Sequence, residues 1–116
     1  MLKKASNKVE VLDLDGTKIY AVRADKSVYD DYADELFDRT ATGELKVKSG
    51  RAILEVYRRC VKKVENCIVD GKEVAELSDP AQIVDFLAHL EDPMIGKQID
   101  NWLLNISMLN GEEQKN

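Results

Sequence analysis

The chain has little of what most catalysis requires. Among 116 residues it has one histidine, one tryptophan, two cysteines and two prolines, and aromatics make up only 6%. With His89 as the sole imidazole, and with Ser49, Ser78 and Ser107 reading as helix caps or helix surface, no nucleophile–base pair can be nominated. Cys60, Cys67 and His89 share no spacing that zinc favours, so no metal site is expected. Gly16, Gly43, Gly50, Gly71, Gly96 and Gly111 are scattered, which excludes a phosphate-cradling loop, and no cofactor is expected. No stretch approaches the ~18 consecutive apolar residues of a membrane span. The start, Met1-Leu2-Lys3-Lys4, is positive but is followed by no apolar core of a signal peptide, so a cytosolic chain is expected.

What is present suits one folded domain. The chain is 44% hydrophobic and 34% charged, with a formal net charge of -5. That apolar fraction argues against disorder, and the length is typical of a single core that needs no disulfide staples. The expected organisation is a flexible start over residues 1–8, one α+β domain over 9–111 and a frayed tail over 112–116.

Residues 9–24 carry the clearest local pattern and read as a β-hairpin. Val9 to Leu14 and Thr17 to Arg23 alternate on either side of Asp15-Gly16, a dipeptide suited to the two positive-φ positions of a type I′ turn. A two-residue loop pairs Val9 with Val22, Val11 with Tyr20 and Asp13 with Lys18 on one face. The other face sets Leu12 opposite Ile19 and Leu14 opposite Thr17. A lone hairpin is marginal in water, so it must dock on helices or on another chain.

About four helices are expected after it. Ser27 can cap a helix to about Thr40, with Tyr29, Tyr32, Ala33 and Leu36 on one stripe and Phe37 beside it. Residues 41–48 look like a connection. Ser49 can cap a longer helix in which Ile53, Tyr57, Cys60, Val61, Val64 and Ile68 keep helical spacing until Asp70-Gly71 ends it. In such a helix Cys60 and Cys67 stand roughly 10 Å apart, too far for a disulfide, and pack as small hydrophobes. Asp79-Pro80 and Asp92-Pro93 each give a capping Asp followed by Pro at the first helical position. Behind them run Ile83, Phe86, Leu87 and Leu90, then Ile95, Ile99, Trp102, Leu103, Ile106 and Leu109, with Asn110-Gly111 as a stop.

Charge comes in blocks. Residues 25–38 hold six acids against one Lys, residues 46–63 hold seven Lys/Arg against one Glu, and residues 65–100 hold nine acids against two Lys. Arg58, Arg59, Lys62 and Lys63 lie off the apolar stripe. They form either a solvated face paired within the chain or a contact for an acidic partner. Nucleic acid is the weaker reading, because the chain is acidic overall and no exposed aromatics interleave the block.

Asp13-Leu14-Asp15-Gly16-Thr17 resembles the first motif of haloacid dehalogenase-like phosphatases, in which the first Asp is the nucleophile and the second a general acid/base. The chain is shorter than the α/β domain of that superfamily, no βαβ alternation follows, and Thr17 to Arg23 alternates like a returning strand. The five residues read as a turn, and a non-enzymatic protein is expected.

The order of elements, a short hairpin, an acidic helix, a Cys-containing middle helix and two Pro-started helices ending in Ile106-Ser107-Met108-Leu109-Asn110-Gly111-Glu112-Glu113, resembles the tail assembly chaperones of long-tailed bacteriophages. The resemblance implies a non-enzymatic protein in the cytoplasm of an infected or lysogenic bacterium. Its partner would be the long, apolar tape measure protein, and it would help recruit tail tube protein; a homo-oligomer is possible by the same surfaces. Candidate partner-binding residues are Ile95, Ile99, Trp102, Ile106 and Leu109, the basic set Arg58, Arg59, Lys62 and Lys63, and the unpaired edge of the hairpin. The alternative is a small cytosolic adaptor or inhibitor acting through its charged helix faces.

Overall fold

The N-terminal hairpin forms in the register that its side chains dictate. In a computed structural model that describes residues 1–4, 6–39, 43, 45–47 and 49–107, β1 (Val9–Leu14) pairs with β2 (Thr17–Val22). The partners are Val9↔Val22, Val11↔Tyr20, Leu12↔Ile19, Asp13↔Lys18 and Leu14↔Thr17. Asp15 and Gly16 take φ of 55° and 97°, and the Asp13 carboxylate accepts the Gly16 N–H at 3.0 Å.

The hairpin is half of a larger sheet. β2 is followed by α1 (Lys26–Leu36), β3 (Phe37–Arg39), β4 (Leu45–Val47) and α2 (Ser49–Cys60). Then come β5 (Val61–Val69), β6 (Lys72–Leu77), α3 (Pro80–Ala88) and α4 (Pro93–Ser107). The main sheet has the antiparallel order β1-β2-β5-β6, and β3 with β4 make a separate two-stranded ribbon. The α+β class with four helices is as the sequence implied, but the expected long middle helix is not. It stops at Cys60, and residues 61–69 are a strand; Asp70-Gly71 is a second hairpin turn, with φ of 51° and 78°.

The reason lies in β5. Its buried residues Val61, Val64 and Cys67 are three apart, as on a helix. Two local irregularities create that spacing. Tyr20 pairs with Lys63 while Ala21 pairs with Val61, so Lys62 is an inserted bulge residue. Asn66 sits at a φ of 57°, which resets the alternation so that Cys67 turns inward and Ile68 outward. The distance argument against a Cys60–Cys67 bridge falls with the helix, yet both thiols are free and buried. Burial pushes the Cys60 thiol up to about 11, as expected of an inert core cysteine.

Helix boundaries follow their caps. Asp25, not Ser27, caps α1, its carboxylate accepting the Val28 N–H at 3.0 Å; the Ser27 hydroxyl instead takes a hydrogen bond from Arg59. The helix ends at Leu36, and residues 37–39 and 45–47, placed by periodicity in a helix end and a connection, pair as the ribbon. Asp79 accepts the Gln82 N–H at the start of α3, and Asp92 accepts the Met94 N–H at the start of α4. Asn110-Gly111, Leu109 and the 112–116 tail lie outside the described residues.

The core forms between one face of the sheet and the helices. Leu12, Ile19, Val64 and Leu77 stand side by side across all four strands, and Ile19, Val64 and Leu77 are buried. Above them pack Val56 and Cys60 from α2, Ile83 and Leu87 from α3, and Ile99 and Leu103 from α4. Each such aliphatic side chain contributes roughly 1.5–3 kcal/mol by leaving water. The end of α4 is tied back to the segment that follows β2, the Ala24 N–H donating to the Ser107 hydroxyl at 3.1 Å.

Candidate partner-binding surfaces

Charge first. The acidic α1 and the basic α2 lie against each other, and their charges meet within the chain. Arg59 pairs with Asp31 and donates to Ser27, Arg51 reaches Glu35 at 3.4 Å, and Arg58 pairs with Glu55 one turn earlier on its own helix. Lys62 donates to the Arg59 carbonyl at 3.1 Å. Lys63 leaves the helix group altogether. On the outer sheet face it stands 3.6 Å from both Glu65 and Glu76, with its ammonium 4.4 Å from the Tyr20 ring centroid. The four candidate cations therefore form no single patch. Most of these pairs are exposed and add little stability each.

The apolar candidates on α4 divide by burial. Ile99 is 2% exposed and belongs to the core; Trp102 and Ile106 are half-buried against it; Ile95 is exposed. Leu109 lies outside the described residues. Spacing alone could not separate them, because 95, 99, 102 and 106 share one stripe and only the depth of docking differs along it.

Two further surfaces emerge only once the chain is folded. The first is the outer face of the sheet. Helices cover the face that carries Ile19 and Val64, while Val9, Val11 and Ile68 on the other are 48%, 48% and 65% exposed. Beside them runs the charged row Asp13, Lys18, Glu65 and Glu76. The Tyr20 hydroxyl donates to the Glu65 carboxylate, which holds that carboxyl below its usual range. Alternation of Val9 and Val11 with Leu12 and Leu14 is legible in the sequence; that no described helix covers the first pair requires the fold.

The second surface is a cleft of about 420 Å³ between α2, α3 and α4. Ile53, Leu54, Leu87 and Leu90 give it apolar walls. Tyr57 of α2 donates its hydroxyl to the Asp100 carboxylate of α4 across one side. Burial raises the pKa of both groups; for the tyrosine the hydrogen bond to Asp100 adds to the rise, and for the aspartate the same bond opposes it. Asp13 and Asp15 of the phosphatase-like motif lie elsewhere, the first near the end of β1 and the second in the β1–β2 turn, beside which the Thr17 hydroxyl donates to the Asn66 carbonyl at 2.6 Å. Among the described residues no group of three or more His, Cys, Asp or Glu is placed to hold a metal ion, and no helix is long and apolar enough to cross a membrane. No protein-family model, curated protein or solved structure matches the chain.

Proposed function

We propose that this protein is a tail assembly chaperone of a long-tailed bacteriophage. On this reading it works without catalysis in the bacterial cytoplasm, keeping apolar helical segments of the tape measure protein soluble and helping tail tube subunits to assemble around them. The observation that supports the reading is the set of exposed apolar residues on the uncovered side of the sheet. Val9, Val11 and Ile68 stand exposed on a face that no described helix covers, and β1 is an edge strand. A sheet face with apolar residues is completed by a helix that lays its own apolar stripe on it, as the helices already do on the other side. The charged row Asp13, Lys18, Glu65 and Glu76 crosses that face between Val11 and Ile68, keeps the unoccupied face in solution and would pair with the polar flanks of a bound helix.

The test is co-expression with the tape measure protein of the same genome. The expected result is a soluble complex that co-purifies, and Val9→Asp together with Val11→Asp abolishes it while the chaperone stays folded. A tape measure protein that remains insoluble and unbound beside the wild-type chain defeats the proposal.

A further inference from the structure

The helical side of the molecule carries a second, self-complementary feature. Pro93, Gly96, Lys97 and Asp100 recur at helical spacing and line the cleft as a stripe of α4, beside the flank of that helix that buries Ile99 and Leu103. Lys97 is exposed and makes no ion pair among the described residues. Asp100 receives one hydrogen bond, from Tyr57, on one carboxylate oxygen. A cation and an anion thus sit three residues apart on one stripe without meeting each other. Gly96 sits between Pro93 and Lys97, although glycine is among the least favourable residues in a helix interior. A Cβ added there would meet nothing nearer than the Leu90 side chain at 3.9 Å, so packing within the chain does not demand the glycine.

We propose that a second copy of this chain covers the cleft, the two α4 helices lying antiparallel about a two-fold axis so that Lys97 of each copy meets Asp100 of the other. In an antiparallel pair, facing positions keep a constant sum. Placing position 97 opposite 100 therefore places 100 opposite 97, and one contact is made twice, as an isologous interface requires. The same sum sets Pro93 opposite Leu104, a half-buried residue one turn beyond Asp100. Gly96 lets the helix backbones approach, and the apolar wall at Leu90, beside the first turn of α4, receives Leu104 from the last turns of the opposite α4. This surface lies on the helical side and the chaperone reading uses the sheet face, so each stands or falls separately.

The experiment is sedimentation equilibrium of the full chain across a concentration series. Wild type is expected to reach the mass of a dimer. Lys97→Glu places like charges at both contacts and weakens the dimer by roughly tenfold or more. Its melting temperature as a monomer is unchanged, because Lys97 has no ion-pair partner among the described residues. Asp100→Lys weakens the dimer in the same way by the opposite sign. Mixed together, Lys97→Glu and Asp100→Lys restore both pairs and form a one-to-one heterodimer. If Asp100→Lys does not fold, Asp100→Asn, which keeps an acceptor for Tyr57 and removes only the charge, must weaken the dimer. A monomeric wild type at every concentration, or a dimer indifferent to Lys97→Glu, overturns the proposal.

Discussion

The molecule contains two hairpins turned by the same dipeptide, and only one of them is readable from its sequence. Asp15-Gly16 and Asp70-Gly71 adopt nearly the same backbone, with φ of 55° and 97° in the first and 51° and 78° in the second. The flanks differ. β1 and β2 alternate without a break, whereas β5 follows α2 with no loop between Cys60 and Val61 and carries both a bulge and a left-handed residue. Those two irregularities turn a period of two into a spacing of three, which continues the apolar stripe of the preceding helix. A turn signal is local and survives. A periodicity signal is collective, and two displaced residues reverse its meaning.

If the two hairpins belong to one core, truncations in either should unfold the whole. Ile19 of the first and Leu77 of the second flank Val64 in one row across the sheet and are 1% and 8% exposed. Ile19→Ala should cost about 2–5 kcal/mol, and Leu77→Ala, on an edge strand, should fall in the lower part of that range. Urea unfolding followed by circular dichroism checks both. A Leu77→Ala cost below about 1 kcal/mol would mean that the second hairpin is an appendage and not half of the sheet.

The same contrast measures how much of the molecule is legible in its sequence. The first hairpin's register is legible pair by pair, since one face demands Leu12 with Ile19 and the other demands Asp13 with Lys18. The starts of α3 and α4 are legible because Asp before Pro is a chemical signal that depends on no distant residue. The cap of α1 falls two residues before the expected Ser27, since Asp25 and Ser27 both qualify and only the fold gives Ser27 to Arg59. Partner surfaces are least legible. Ile95 and Ile99 are equivalent on the helix stripe, yet one is exposed and the other is core, a difference set by where α4 meets the sheet. The cleft needs three helices in place before Tyr57 and Asp100 can be seen to face each other.

The turns themselves supply the next test. Gly16 and Gly71 occupy positive φ and have open space where a Cβ would go, so substitution costs only the backbone conformation. Gly16→Ala and Gly71→Ala should each destabilise by about 1–2 kcal/mol, and by the same amount within a few tenths. Thermal unfolding of the two variants side by side reads the difference. Equality means that the second turn constrains its strands as firmly as the first. A silent Gly71→Ala would mean that β5 and β6 hold together without their turn.

The smallest expected effect falls on Asn66, the residue that separates the two patterns. Its φ of 57° lets Cys67 face the core, its carbonyl accepts the Thr17 hydroxyl, and its amide lies 3.5 Å from the Gly16 carbonyl. That last contact is long for a hydrogen bond and exposed, so it contributes little. The backbone conformation matters more. Holding a residue left-handed costs roughly 1 kcal/mol when it has a Cβ and no compensating polar side chain, and Asn tolerates the conformation better than Ala. Asn66→Ala should therefore cost about 1 kcal/mol, while Asn66→Gly should cost only a few tenths, because glycine accepts the conformation freely. Thermal unfolding of the two variants beside wild type measures both. Equal losses from Ala and Gly would assign the effect to the side-chain contact. In that case the inward turn of Cys67 would not depend on the residue before it, and the helical look of β5 would need another cause.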